Sequence, residues 1–166
     1  MASGSGRIQR RCTIACASSL LVLAGTVGAT TTATAAPSAH SGARTVLPTA
    51  SDPSKILEMV NKARTDAGCA PLTVDPKITA AAQEYADDTT TNHKGSDGSS
   101  IADRLTKAGA TFNNHAENIA WGNVDEKKHV DGWLNSASHA GAIKNCAFKK
   151  TGVAVAGDRV VQVFTD

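Results

Sequence analysis

The feature that most constrains this chain is a change of period near its end. Val153 and Val155, then Val161 and Val163, alternate with other residues on either side of Gly157-Asp158. A period of two marks strands with one packed face, and Gly-Asp between two such runs is a two-residue turn signal. Upstream, the apolar residues recur at helical spacing instead: Ile56, Leu57, Val60 and Ala63 in one segment, and Ile78, Ala81, Ala82, Tyr85 and Ala86 in the next. Helices first, a closing β-hairpin and one further strand around residues 118–121 give the α+β class, because strands separated in this way do not build alternating βαβ units.

The helix starts are written in local chemistry. Asp52-Pro53 and Asp75-Pro76 each set a carboxylate that accepts from orphan amides before a proline whose φ is already helical. Gly68 ends the first helix. Ser100 and Asp103 read as a capping box for a short helix carrying Ile101, Leu105 and Ala108 and stopping at Gly109. A fourth helix is expected from about Asp125, burying Val130, Trp133 and Leu134. Five of the six aromatic residues, Trp121, Trp133, Phe112, Phe148 and Phe164, are expected first of all as core anchors. Ser136 is expected to close the fourth helix and His139 to cap the turn that follows.

At the other end, Arg7, Arg10 and Arg11 precede an apolar run, residues 14–27, too short to span a bilayer comfortably, and Ala33-Thr34-Ala35 supplies a small-x-small cleavage site. Residues 1–35 therefore read as a signal peptide, residues 36–50 as a flexible Ala/Ser/Pro/Thr-rich lead-in, and residues 51–166 as one domain. Three of the 17 basic residues and none of the 15 acidic ones fall within residues 1–35, which leaves 14 against 15 after cleavage. So near-neutral a chain lacks the basic stripe that phosphate-backbone binding needs, and it carries no block of like charge for an anionic membrane surface. The expectations are a secreted, extracellular monomer with no nucleic-acid partner and no membrane span after cleavage.

Of the four cysteines, only Cys69 and Cys146 survive that cleavage. An even pair in an exported chain reads as a disulfide, and closing a loop of this length contributes at most about 4.5 kcal/mol in the chain-entropy account. A paired cysteine offers no catalytic thiolate.

Several pieces in fixed order carry a family resemblance. They are Asn61-Lys62-Ala63-Arg64, Gly68-Cys69-Ala70-Pro71-Leu72, His93, Asp97-Gly98-Ser99-Ser100 with Asp103-Arg104, Ala116-Glu117-Asn118-Ile119-Ala120, Trp133-Leu134-Asn135-Ser136 with His139, Gly152-Val153-Ala154-Val155 and Val161-Gln162-Val163-Phe164. In this order they resemble the bacterial extracellular branch of the CAP superfamily, the cysteine-rich secretory, antigen 5 and pathogenesis-related 1 proteins with an SCP-like domain. The resemblance runs from about Ser51 to Asp166. It implies a single-domain α-β-α sandwich with a small antiparallel sheet between helices, and a cleft that serves no single agreed activity.

Glu117 lies in a segment of small and apolar residues, where a carboxylate without partners would be costly, so it is expected to hold hydrogen bonds and to line the cleft. The resemblance points His93 into the same cleft; His115, two residues before Glu117, competes for the role. Better-known members are described with two histidines and two acidic residues there, the histidines sometimes holding zinc. In this chain Arg159 stands where the second histidine would be and Ser136 where the second acid would be. Zinc wants three or four donors, and His93 with Glu117 falls short even if His139 adds a third, so no cofactor is expected. The ligand-binding residues expected are His93, Glu117, His139 and Arg159. The leading function is a secreted binding module for a small extracellular ligand: a peptide, a lipid or a cell-wall fragment. The alternative is a secreted hydrolase of peptides or wall polymers, metal-assisted or built on Ser136, His139 and Glu117.

Overall fold

The structure is a computed structural model that describes residues 51–166. The expected signal peptide and lead-in lie outside the described residues. The elements run α1 (Pro53–Asp66), β1 (Thr73–Val74), α2 (Pro76–Ala86), α3 (Ile101–Lys107), β2 (His115–Trp121), α4 (Glu126–Leu134), α5 (Ala137–Ile143), β3 (Lys150–Ala156) and β4 (Arg159–Thr165).

Each expected helix start is realised by its cap. The Asp52 carboxylate accepts from the Ser54 amide, Asp75 from Lys77 and Asp125 from Lys128, while Ser100 and Asp103 satisfy one another's backbone as a capping box. Such caps contribute about 1 kcal/mol each.

The sheet has four strands in the order β1-β3-β4-β2. Strands β3 and β4 form the closing hairpin across Gly157-Asp158, and β2 pairs antiparallel with β4 from His115↔Thr165 to Trp121↔Arg159. The sheet is mixed, which corrects the expected antiparallel one: β1, which no period announced, joins β3 in parallel.

Alternation along the strands splits the core in two, which makes the sandwich. One face of the sheet, with Val153, Val160 and Phe164, packs on α1, α4 and α5 through Ile56, Val60, Trp133 and Ile143. The other, with Ile119, Ala154, Val161 and Val163, packs on α2 and α3 through Ile78, Ala81, Ala82 and Leu105. The small residues of α2 let it sit almost directly on β3, where a Cβ added to Gly152 would overlap the backbone of Ile78 and Thr79.

On the first face, Trp133 donates its indole N–H to the Ile119 carbonyl at 3.0 Å. The end of α1 is tied to the segment before β3 twice. Cys69 and Cys146 are disulfide-bonded with their Cα atoms 4.9 Å apart. Beside them the fully buried Arg64 guanidinium donates to the carbonyls of Ala70, Ile143, Asn145 and Phe148 at 2.6 to 3.0 Å. Burial pulls the Arg64 pKa below its ordinary value.

Three expectations need correcting. Trp121 is not a core anchor: it ends the outermost strand beyond the helical cover and is 46% exposed. Phe112 is only half-buried, at the edge of the α2–α3 core. Ser136 does not close α4, since Asn135 does; it stands at the start of α5 without a capping hydrogen bond, and His139 lies inside α5 rather than capping it.

Candidate functional site

Glu117 lies on β2, on the face turned toward α2 and α3, and its side chain has no exposure. A lone carboxylate there would cost several kcal/mol. Both oxygens are used instead. Oε2 accepts from Nη2 of Arg104 at 2.8 Å, and Oε1 accepts from Nδ1 of His93 at 3.0 Å. Because a carboxylate only accepts, the proton of a neutral His93 belongs on Nδ1, and Nε2 is left facing outward as an acceptor.

Arg104 is placed by α3. It also donates to the Ser99 carbonyl at 3.1 Å, and its guanidinium lies 4.1 Å from the Tyr85 ring centroid. Sequence reasoning missed its role, although a signal was present: Ile101, Arg104, Leu105 and Ala108 share one helical stripe, so this arginine occupies a core position. Arg64 falls at the same kind of position, on the stripe of Ile56 and Val60.

His93 is held by the loop after α2. The Asp88 carboxylate accepts from the amides of Ser96 at 2.7 Å and Thr90 at 3.0 Å, and these bonds, Ser96 first, pull its pKa down to about 2. The loop is thereby closed on itself, and His93 sits in it with φ of 65°. Its backbone N–H donates to the Tyr85 hydroxyl at 2.8 Å, which fixes the ring beside Glu117. Of the two candidate histidines, His93 is the one that meets Glu117. His115 is exposed and turns its ring edge-on to Phe112, centroids 5.5 Å apart.

Arg159 begins β4. Its guanidinium lies 4.2 Å from the Tyr85 centroid and 5.8 Å from that of Trp121. Two guanidiniums that close to one ring occupy opposite faces, so Tyr85 is stacked between Arg104 and Arg159. Nη1 of Arg159 donates to the Asp88 carbonyl, while Nε and Nη2 are buried without a hydrogen-bond partner.

His139 approaches from the opposite layer. Burial, and after it the charge of nearby His93, lowers its pKa, which favours the neutral ring. The Asn118 side chain donates to the His139 carbonyl at 3.2 Å. A cavity of about 340 Å³ opens there, lined by Ile119, Trp121, His129, Trp133, Ser136 and His139 among others. The Ser136 hydroxyl lies 3.3 Å from that of Ser138. Glu117 is engaged by His93, so Ser136, His139 and Glu117 do not assemble into a hydrogen-bonded triad. Nor do the donors for zinc gather: among the described residues no three His, Cys, Asp or Glu side chains come together around a point where an ion could be held.

The stretch that carries this buried glutamate and its loop histidine is matched by a family model. The model of the cysteine-rich secretory protein family, CAP, covers residues 57–165. The chain belongs to the CAP family. Its CAP domain is 33% identical over 105 residues to a protein of Bacillus subtilis (strain 168) called uncharacterized membrane protein YlbC. That match takes in 61% of this chain and 30% of the relative, so the chain spans less than a third of its length. Among solved structures, an extracellular protein containing an SCP domain from Bacillus anthracis superposes with a TM-score of 0.65 at 26% identity, over 68% of this chain and 39% of that one. An outer surface protein of Borrelia burgdorferi gives a TM-score of 0.61 at 23% identity over 72% and 98%, a likeness of fold. Among the described residues of this CAP domain, no helix is long and apolar enough to cross a membrane.

Proposed function

We propose that this CAP protein is exported and monomeric, and that the cleft around His93, Glu117, His139 and Arg159 binds a small extracellular ligand such as a peptide, a lipid or a cell-wall fragment. One observation carries the reading. Both oxygens of Glu117 are spent on Arg104 and His93, so the carboxylate is a fixed support and not a free base. What it supports is the half-exposed His93 ring, whose Nε2 is left free to meet a ligand, and preorganisation of that kind favours recognition. Export is supported by the reading of residues 1–35 and by similar proteins described as extracellular or outer-surface. Neither a cofactor nor a nucleic-acid partner belongs to this reading.

The test is a panel of labelled peptides, lipids and wall fragments titrated into the purified chain. Saturable binding that weakens in His93→Ala and His139→Ala is expected, and an absence of saturable binding across the panel overturns the reading. The second reading, a hydrolase, draws on the His93–Glu117 pair, which orients an imidazole as a general base is oriented. Fluorophosphonate labelling that disappears in Ser136→Ala would support a serine enzyme; no labelling and no turnover at any metal loading would exclude both hydrolase forms.

A further inference from the structure

Three arginines of this domain are buried, and they are not equally provided for. Arg64 donates to four backbone carbonyls. Arg104 has the Glu117 carboxylate and the Ser99 carbonyl, with only its Nε lacking a partner. Arg159, 5% exposed, has the Asp88 carbonyl alone, and its Nε and Nη2 meet nothing. Those two nitrogens form one edge of the guanidinium, with N–H groups that run parallel and match the two oxygens of a planar anion. Nor does Arg159 form an ion pair among the described residues. Since Arg104 and Glu117 cancel, the cluster around Tyr85 retains one buried cation with no carboxylate at ion-pair distance among the described residues.

A cavity of about 410 Å³ adjoins it, lined by Arg159, Trp121, Asp87, Asp88, Asp158 and Thr89 among others. We propose that Arg159, stacked between Tyr85 and Trp121, is an anion-binding residue that grips the carboxylate of a ligand seated in this cavity. The inference rests on the binding reading above and names the chemistry of the ligand. A carboxylate is favoured over a phosphate by the rest of the lining. Asp87 and Asp88 have carboxylate oxygens engaged by Gln83 and by the Thr90 and Ser96 amides, yet they and Asp158 keep the rim negative, which costs a dianion more than a monoanion. The Nε–Nη2 edge is closed to water in this structure, so carboxylate binding requires the cavity wall beside Arg159 to open, and the half-exposed Trp121 indole, 5.8 Å from the guanidinium and lining the same cavity, is the part of that wall we assign to move.

Two sources share this chemistry, a peptide C-terminus and a sugar acid, and the probes separate them. Acetyl-dialanine, the same peptide capped as its amide, glucuronate and inorganic phosphate are titrated into the purified chain, with fluorescence of Trp121 as the reading; Trp133, 2% exposed, supplies a steady background. A saturable change with one carboxylate probe is expected, with at least about tenfold weaker binding of the capped or phosphate form and a similar loss in Arg159→Lys, which keeps the charge and removes the fork. In wild type, the Arg159 Nε–H resonance should shift with the same midpoint, a measurement that stands if the variant fails to fold. No saturable change with either carboxylate, equal binding of the capped peptide, or an Arg159 resonance that stays still at saturation overturns the proposal. Carboxylate binding abolished by His93→Ala or His139→Ala but indifferent to Arg159→Lys overturns it while leaving the cleft reading in place.

Discussion

Arg104 and Glu117 are joined at 2.8 Å with neither side chain reaching water, 2% and 0% exposed. Helix α3 and strand β2 are therefore fastened by a charge pair whose halves cannot be separated cheaply. Burying such a pair returns little net stability against apolar residues of the same volume, but breaking it leaves one charge stranded.

Glu117→Gln should accordingly destabilise the domain by about 3 kcal/mol, since the amide removes the negative charge and presents a donor to Arg104 or His93. Denaturant melts measure this. The same loss with and without added zinc is expected; a shift confined to the zinc-loaded sample would point to a metal site instead.

Stability should fall as the solution is acidified from roughly pH 7 to pH 5. His129 and His139 both have folded pKa values held below the ordinary 6.5, burial being the leading cause in each. The unfolded chain then binds protons that the folded one refuses, so the loss begins at the unfolded value and levels off below the folded ones. Thermal melts across this range should show the decline, and His129→Gln should flatten it; a melting temperature flat from pH 7 to pH 5 in wild type would contradict the assignment.

Trp133→Ala should cost about 3–5 kcal/mol, the range for large buried aromatics. The side chain fills the core beneath α4 and satisfies the Ile119 carbonyl, which its removal leaves unpaired. Equilibrium unfolding in urea reads the loss directly, and an unchanged midpoint is the contrary result.

Cys69→Ser should lower the melting temperature without abolishing the fold. Opening a bridge between residues 77 apart removes up to about 4.5 kcal/mol in the entropy account, while the four bonds of Arg64 still hold the same junction. The domain from Ser51 onward, which holds Cys69 and Cys146 and neither of the other two cysteines, should titrate no free thiol when prepared under oxidising conditions, and two reactive thiols would refute the bridge.

Gly152→Ala should destabilise by about 1–3 kcal/mol or more, because the new methyl meets backbone of α2 rather than a side chain that can turn away. Thermal melts of this variant test how closely the layers are packed.

Much of this architecture was legible because its signals are local. Asp52-Pro53, Asp75-Pro76, the Ser100–Asp103 box and the valine alternation around Gly157-Asp158 each involve residues a few positions apart, and each forms as the sequence implies. Strand β1 was not legible, being two exposed residues with no period, and α5 hides behind Ala and Gly with Ile143 as its one fully buried side chain. At the site, the burial of Glu117 followed from its apolar neighbours. Its partners did not, since Arg104 and His93 lie 13 and 24 positions away and only the packing of α2 and α3 on the sheet brings them in. Trp121 misleads because aromatic content alone does not reveal that a strand is outermost.

The bond from Trp133 to the Ile119 carbonyl also bears on how copies of this protein meet. Outermost strands are where folded chains recruit one another into extended sheets, through backbone groups with no partner of their own. In this sheet one border strand, β2, has the Ile119 carbonyl occupied by an indole, and the other, β1, is only two residues long. The β1 border is thus too short to serve a second chain as a template, and on β2 the indole withdraws the Ile119 carbonyl, in the middle of the strand, from any pairing across that border.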